Sequence, residues 1–177
     1  MHARAFRIVT TAIGLGVLAG CSDSADHNAA DVTFATEMIP HHAQAVEMAA
    51  MVDGKDVDPE VADLAAQISG AQEPEIETMS SWLEEWGEPV PDQGEPMTMD
   101  MPGMMSEDQM ASLEAAEGAE FQTTWLELMV EHHRGAIDMA QTEQAEGEDA
   151  EALELAEDIE AGQAAEVTLM GDLLSGS

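Results

Sequence analysis

The chain of 177 residues carries 38 acidic and four basic side chains, which gives a formal net charge of −34 at pH 7. Such a surface repels phosphate backbones, so we expect no binding to nucleic acid. Apolar residues make up 45% of the chain, enough for the core of one domain. Ala, Glu, Leu, Met and Gln are strong helix formers, and their dominance in this sequence predicts an all-α protein.

Residues 1–20 resemble an export signal. Arg4 and Arg7 precede an apolar run at residues 8–19, which is too short to cross a bilayer as a helix. The run ends Leu18-Ala19-Gly20-Cys21, which resembles the lipobox of bacterial lipoproteins, where the cysteine is acylated and becomes the mature N-terminus. Cys21 is also the lone cysteine, so no intramolecular disulfide can form. We therefore expect an exported protein that contacts the membrane through this lipid alone, with residues 21–31 as a flexible tether.

Two helices are predicted after the tether. The first runs from about residue 32 to 51 and contains Pro40, which removes one backbone hydrogen bond and should kink the helix. Asp58 and Pro59 are typical of an N-cap followed by proline at the first helical position, and this second helix extends to about Trp86. Residues 87–105 then form a linker rich in Pro, Gly, Asp and Met.

Two more helices are predicted after the linker. Ser106 and Gln109 offer a capping box for the third helix, which runs to about Gln144 with Gly118 as a candidate break. The fourth helix extends from about Asp149 to Leu174 and repeats the apolar pattern of the second.

The second half of the chain repeats the first at an offset of 91 residues. Residues 38–49 read MIPHHAQAVEMA, and residues 129–140 read MVEHHRGAIDMA. A register that continues downstream without a gap indicates a duplicated unit. Two helix hairpins, at about residues 32–86 and 106–175, predict a four-helix bundle with pseudo-twofold symmetry.

Each copy of the repeat places a His-His pair on the apolar face of its helix. The pair shares a narrow arc with the methionines three residues before and six residues after it. Buried imidazoles are costly unless each finds a partner. Two symmetry-related helices could therefore bring four imidazoles and four thioethers together as metal ligands: His41, His42, His132, His133, Met38, Met48, Met129 and Met139. The alternative is a hydrogen-bonded core in which the methionines only fill space.

This set of donors favours a soft metal. Di-metal carboxylate bundles carry Glu three residues before the His, but Met38 and Met129 hold that position here. Thioether with imidazole favours Cu(I) or its analogue Ag(I) over iron, zinc or calcium. The linker adds Met97, Met99, Met101, Met104 and Met105. Their spacing resembles the methionine motifs of exported copper-handling proteins, which predicts soft-metal capture; a hydrophobic lid over the bundle is the alternative.

Charged residues flank the histidine pairs. We expect Glu37, Glu47, Glu131 and Asp138 to orient imidazoles or to face water rather than to act as acid–base catalysts. Arg134 would oppose a bound cation if it pointed inward, which predicts that the two half-sites can differ.

The repeated signature, together with the pattern from Ile68 to Met79 and its copy from Ile159 to Met170, resembles the bacterial family catalogued as domain of unknown function 305. The resemblance covers roughly residues 34–174. It implies a ferritin-like helical bundle, usually exported, in a family with members linked to copper and silver binding and tolerance. By motif position it also implies that the eight His and Met residues of the two copies are candidate ligands.

These features favour an extracytoplasmic, lipid-anchored protein that binds Cu(I) or Ag(I) for buffering, transfer or tolerance, with no turnover required. A copper-exporting or copper-accepting envelope protein would be its partner. One alternative is a ferritin-like di-metal oxidase, such as a cuprous oxidase, which metal-dependent oxygen consumption would indicate. Another is an envelope interaction module without metal, which would be indifferent to loss of His41 and His132.

Overall fold

The computed structural model describes residues 27–92 and 101–176, so the predicted export signal, Cys21, Met97 and Met99 lie outside the described residues. In the described part of the chain, all regular secondary structure is α-helical. The five helices are α1 (Ala29–Ala50), α2 (Pro59–Trp86), α3 (Glu107–Ala115), α4 (Gly118–Glu146) and α5 (Ala150–Gly176). The prediction of an all-α protein is confirmed. None of these helices is both long and apolar enough to cross a membrane.

The helix boundaries follow from local capping. Helix α1 begins three residues before its predicted start, because Asn28 and Asp31 form a capping box that we did not recognise in the sequence. It continues through Pro40 as one helix. The predicted third helix is divided into α3 and α4, since Ala116 and Glu117 both adopt extended backbone conformations. The break thus falls just before Gly118, the candidate position.

The helices form two hairpins that meet through α1 and α4. Helix α1 packs along α2 and α4 packs along α5, while α2 and α5 meet much less. Helices α1 and α4 run antiparallel. At one end of this pair Asn28 Nδ2 donates to the Glu146 carbonyl, and at the other Trp125 Nε1 donates to the Met48 carbonyl, both at 2.8 Å. The prediction of a four-helix bundle from two duplicated hairpins is confirmed, with α3 as a short extra helix against α4.

The core of this bundle is interrupted by a polar layer. One apolar cluster contains Met48, Ile68, Trp125 and Met129, and the other contains Phe34, Met38, Met79 and Met139. On each of the four long helices, polar residues lie between the segments that contribute to the two clusters. This polar layer consists of His41, His42, Gln72, Glu75, His132, His133, Gln163 and Glu166.

A buried pair of carboxyl groups joins α1 to the connection between α4 and α5. Asp31 accepts backbone N–H bonds from Asn28, Glu148 and Asp149. Burial opposes its ionisation, but these bonds and one with Glu143 hold the pKa of Asp31 below its ordinary value. Glu143 is 1% exposed, and neither of its oxygens has a donor among the described groups. Burial and the neighbouring Asp31 raise the pKa of Glu143 to about 8, so below that pH Glu143 keeps a proton that it donates to Asp31.

The pair predicts how stability changes with pH. The folded-state pKa of Glu143 lies above its ordinary value of 4.5, so its stabilising contribution is full below pH 4.5 and is lost as the pH rises through 8. In the Glu143→Gln variant the amide stays neutral and can donate to Asp31 at every pH. Between pH 6 and pH 9 we expect urea unfolding to show wild type losing about 2 kcal/mol relative to this variant.

Glu146→Gln is the control for this prediction, because Glu146 is an exposed carboxylate one turn further along α4. Its pH profile should follow that of the wild type. A Glu143→Gln profile parallel to the wild-type profile across this range would contradict the assignment of a shared proton.

Candidate metal centre

His41 and His132 face each other at the centre of the α1–α4 interface. They are equivalent positions of the repeat, and their ring centroids are 3.9 Å apart with the planes tilted by 42°. All four histidines of the polar layer are fully buried. The antiparallel crossing of α1 and α4 therefore brings the two His-His pairs to the pseudo-twofold axis, as the repeat predicts.

His42 and His133 are held by a carboxylate on the neighbouring helix of their own hairpin. His42 Nε2 donates to Glu75 Oε2 and His133 Nε2 donates to Glu166 Oε2, each at 2.7 Å, and both glutamate side chains are 22% exposed. The carboxylate oxygen accepts this bond, so Nε2 of each ring carries a proton, and Nδ1 is the ring nitrogen without a partner in the described part of the chain. At metal sites, a carboxylate bound to one ring nitrogen in this way orients the other nitrogen toward the metal.

Sequence reasoning did not assign this role to Glu75 and Glu166. The residues that we considered for it lie elsewhere: Glu47, Glu131 and Asp138 are exposed, and Glu37 is partly exposed. A signal was available, because Glu75 with Gln72 interrupts the apolar stripe of α2 and recurs 91 residues later in α5. Polar residues duplicated within an apolar stripe indicate a shared polar partner.

His41 is oriented by the linker. Its Nε2 lies 3.1 Å from the carbonyl oxygen of Pro102, and because a carbonyl only accepts, this nitrogen carries the proton. Its Nδ1 then holds a lone pair with no partner in the described part of the chain. His132 differs, since neither of its ring nitrogens has a hydrogen-bond partner among the described residues. Five buried ring nitrogens are thus unpaired there: Nδ1 of His41, His42 and His133, and both nitrogens of His132.

Burial keeps the central imidazoles neutral. Desolvation, with a smaller contribution from His42, lowers the pKa of His41 from 6.5 to about 3. Desolvation and the adjacent imidazoles lower the pKa of His132 well below 6.5. Neutral imidazole is the form that binds metal, so these rings are available as ligands over the whole neutral range.

The methionines of the repeat are divided between the two sides of the polar layer. Met38 and Met129 lie one turn before His41 and His132, and both are fully buried. Met48 shares a cluster with Met129, and Met139 shares the other with Met38, because α1 and α4 are antiparallel. The four thioethers thus lie two in each apolar cluster, on either side of the histidines. That they act together with the imidazoles as ligands stays a prediction.

The imidazoles and carboxylates of the described residues do not form a ready-made metal site. Among residues 27–92 and 101–176, no three His, Cys, Asp or Glu side chains come together in a group that could hold a metal ion. The other donors that α1 and α4 bring to this level are methionine sulfur atoms, with Met38 and Met129 nearest along the chain.

Part of the methionine-rich linker packs against the bundle beside the histidines. Met101 and Met105 are buried and Met104 is partly exposed. Met105 belongs to the cluster that contains Met48 and Met129. The described part of the linker thus has the features of a lid over the bundle, which was our alternative, and its thioethers remain candidate ligands. Arg134 is exposed, so its charge does not point into the layer.

Residues 31–174 match the family model described as Domain of unknown function (DUF305). A crystal structure of a DUF305 protein from Streptomyces coelicolor is 37% identical, with a TM-score of 0.76 over 83% of this chain and 93% of that one. A DUF305 fragment from Deinococcus radiodurans is 30% identical, with a TM-score of 0.76 over 85% of this chain and 98% of that one. No curated protein matches the chain.

Copper- and silver-bound structures also match. CopM in its Cu(I)-bound form is 31% identical to this chain, with a TM-score of 0.70 over 82% of this chain and 96% of that one. CopM has also been solved in Cu(II)-bound, Ag-bound and apo forms, which match over similar lengths.

The buried histidines predict a pH response. Because the folded-state pKa values of His41 and His132 lie below 6.5, the folded protein binds fewer protons than the unfolded chain, and stability should fall as the pH decreases below 6.5. In NMR titrations of the folded protein, we expect the His41 ring to remain neutral from pH 8 to about pH 4 and the His132 ring to stay neutral well below pH 6.5. The same protein in urea serves as the reference, with ring shifts that titrate near 6.5. Ring shifts of the folded protein that change between pH 7 and 5 would contradict this account.

Proposed function

The chain belongs to the DUF305 family, and from this premise we propose that it binds Cu(I), or its analogue Ag(I), in the polar layer between α1 and α4. The single observation that carries the proposal is the set of five unpaired, fully buried imidazole nitrogens on His41, His42, His132 and His133. A buried polar atom without a partner costs about 1–3 kcal/mol. A bound metal ion would provide a partner for these ring nitrogens, because each could donate its lone pair to the metal.

The hydrogen bonds around the rings support the choice of ligand atoms. Glu75, Glu166 and the Pro102 carbonyl accept the Nε2 protons of His42, His133 and His41. Each of these three rings therefore offers its Nδ1 lone pair to the interior of the bundle. His132 is free at both nitrogens, so it can rotate to meet a metal ion held by His41, whose ring is in contact with it.

The nearby sulfur atoms support the choice of metal. Met38 and Met129 are buried one turn from His41 and His132, and thioether with imidazole is the donor set of Cu(I) and Ag(I) rather than of Mg²⁺, Ca²⁺ or carboxylate-bound iron. Met48 and Met139 lie two turns beyond the histidines in the two clusters and form an outer set of thioethers. The copper- and silver-bound structures of the similar protein CopM agree with this choice.

We place this metal site in an exported, lipid-anchored protein. The export signal and Cys21 are the basis for the anchor, and the charge of −34 would concentrate cations near the surface. Met97, Met99, Met101, Met104 and Met105 would capture metal and pass it to the polar layer. Buffering, transfer to or from an envelope protein, and tolerance all follow from reversible binding without turnover.

Anaerobic Cu(I) titration against a competing chelator tests the proposal, with a soluble form that lacks residues 1–21. In the double variant His41→Leu with His132→Leu, an apolar side chain of similar volume replaces each imidazole. We expect tight Cu(I) binding to be lost while thermal stability without metal is kept or increased, because two buried polar groups are removed. The comparison variant replaces Met101, Met104 and Met105 by Leu, which should remove metal capture by the linker and leave metal binding by the imidazoles detectable.

Two other results of this titration would contradict the proposal. If the double variant binds Cu(I) like the wild type, the imidazoles are structural and the linker methionines carry the metal. If the wild type cannot compete with the chelator, the protein does not bind copper in this way.

The glutamate partners give a second prediction. In the variant Glu75→Gln with Glu166→Gln, an amide can donate as well as accept, so the tautomers of His42 and His133 are no longer fixed. Loss of such partners typically weakens metal binding about 10–100-fold, and we expect a decrease of this size in the competition assay. The exposed residues Glu47 and Glu131 provide the matched control, because their change to Gln removes the same charge at the surface. Equal affinities of the two double variants would contradict the orienting role.

A further inference from the structure

The pseudo-twofold symmetry of the polar layer fails at one pair of positions. His42 and His133 have equivalent glutamate partners at the same distance of 2.7 Å. His41 has the Pro102 carbonyl as its partner, whereas its equivalent His132 has no partner among the described residues. Pro102 lies in the linker between the two repeats, of which the chain has one copy, so only one of the two central rings can be held in this way.

The linker segment 101–105 is fixed to α1 by one glutamine. Gln44 Nε2 donates to the Met105 carbonyl at 2.9 Å, and Met105 N–H donates to Gln44 Oε1 at 2.7 Å. Gln44 lies one turn after His41. The nitrogen and the oxygen of its side-chain amide both bind the backbone of Met105. The pairing aligns the segment along α1 beside the histidine.

The same segment passes over α4 at a glycine. A Cβ atom on Gly135 would lie 2.5 Å from the carbonyl carbon of Pro102 and 2.7 Å from Cα of Gly103. Gly103 itself has φ +77°, and a Cβ there would lie 2.8 Å from the His132 carbonyl oxygen. Backbone atoms at these distances cannot move aside as a flexible side chain would. The linker segment 101–105 can therefore reach His41 only because positions 103 and 135 are both glycine.

Gln44 and Gly135 are equivalent positions of the repeat, 91 residues apart. The two copies also differ at Pro40/Glu131 and Ala43/Arg134. At the Gln44/Gly135 position, one copy has an amide that binds the linker and the other has no side chain. The two copies thus differ where the linker crosses them. Gln44 binds the linker backbone, and Gly135 leaves space for it.

We propose that the linker segment 101–105 is part of the metal centre: the Pro102 carbonyl fixes the His41 ring with its Nδ1 lone pair toward the layer, as Glu75 and Glu166 do for His42 and His133. Gln44 and Gly135 are positioning residues that hold Pro102 in place. The inference rests on the proposed function. In this arrangement His41 is the preorganised ligand and His132 is the mobile one. The linker also brings Met101 and Met105, whose side chains are buried, to the side of the bundle where it contacts His41.

A segment that only covered the site would behave differently from one that orients a ligand. Release of a cover would speed metal uptake and leave the equilibrium affinity unchanged. Release of an orienting group would let the His41 ring exchange tautomers and would weaken binding at equilibrium. The two cases are therefore separated by the tautomer of His41 and by the affinity together.

The Gly135→Ala variant is the test, because alanine suits a helix but its Cβ would displace Pro102. Gly162→Ala is the matched control, since Gly162 is a helical glycine with no atom within 4 Å of an added Cβ.

The probe is Ag(I), in competition with a chelator, and ¹⁵N NMR of the imidazoles without metal reports the tautomers. For Gly135→Ala we expect mixed tautomers at His41, unchanged tautomers at His42 and His133, and affinity lower by about 10-fold or more. Gly162→Ala should match the wild type in both measurements. Gln44→Leu, which removes both bonds to Met105, should shift His41 in the same direction.

Unchanged His41 tautomers in both Gly135→Ala and Gln44→Leu would overturn the inference, as would faster Ag(I) uptake at unchanged affinity. The proposed function fails separately, if the wild type does not bind Ag(I). In that case the ¹⁵N spectra without metal still decide whether the linker orients His41.

Discussion

The burial of His41 against His132 is the interaction on which the rest of the structure depends. The hairpins α1–α2 and α4–α5 meet chiefly through α1 and α4, and the two rings lie 3.9 Å apart at the centre of that contact. Imidazoles in a bundle core oppose folding unless their nitrogens are paired. The apolar clusters on both sides provide the burial that outweighs this cost, while Glu75, Glu166 and Pro102 satisfy one nitrogen on each of three rings.

The buried, unpaired imidazole nitrogens of the polar layer oppose folding, but they make the layer suitable for a soft cation. Desolvation keeps His41 and His132 neutral, so a metal ion does not have to compete with protons near neutral pH. The fixed Nε2 protons leave lone pairs at Nδ1, and the methionines around the layer are the softest donors in the core. The repeat accounts for the arrangement, because an antiparallel pair of similar helices brings a residue at their crossing point next to its own copy, as His41 lies next to His132.

The sequence was sufficient to predict the helical bundle and the burial of the four histidines, since both depend on local periodicity and on the 91-residue repeat. It was insufficient wherever the answer depended on how separate elements align. The pairing of His42 with Glu75 depends on the register of the α1–α2 hairpin, and the division of Met38 from Met129 depends on the antiparallel direction of α1 and α4. The contact of Pro102 with His41 depends on the path of an aperiodic linker. Gly135 was visible as a departure from the repeat, but its meaning required the position of that linker.

The measurement that tests the central claim most directly is anomalous diffraction from crystals of the Ag(I)-loaded protein. The account predicts a silver ion within the polar layer, bonded to Nδ1 of His41 and to His132, with a methionine sulfur completing its ligands. The bonds from His42 to Glu75 and from His133 to Glu166 should remain. Silver bound only to linker thioethers or surface carboxylates, with His41 and His132 still in contact as they are without metal, would contradict the account.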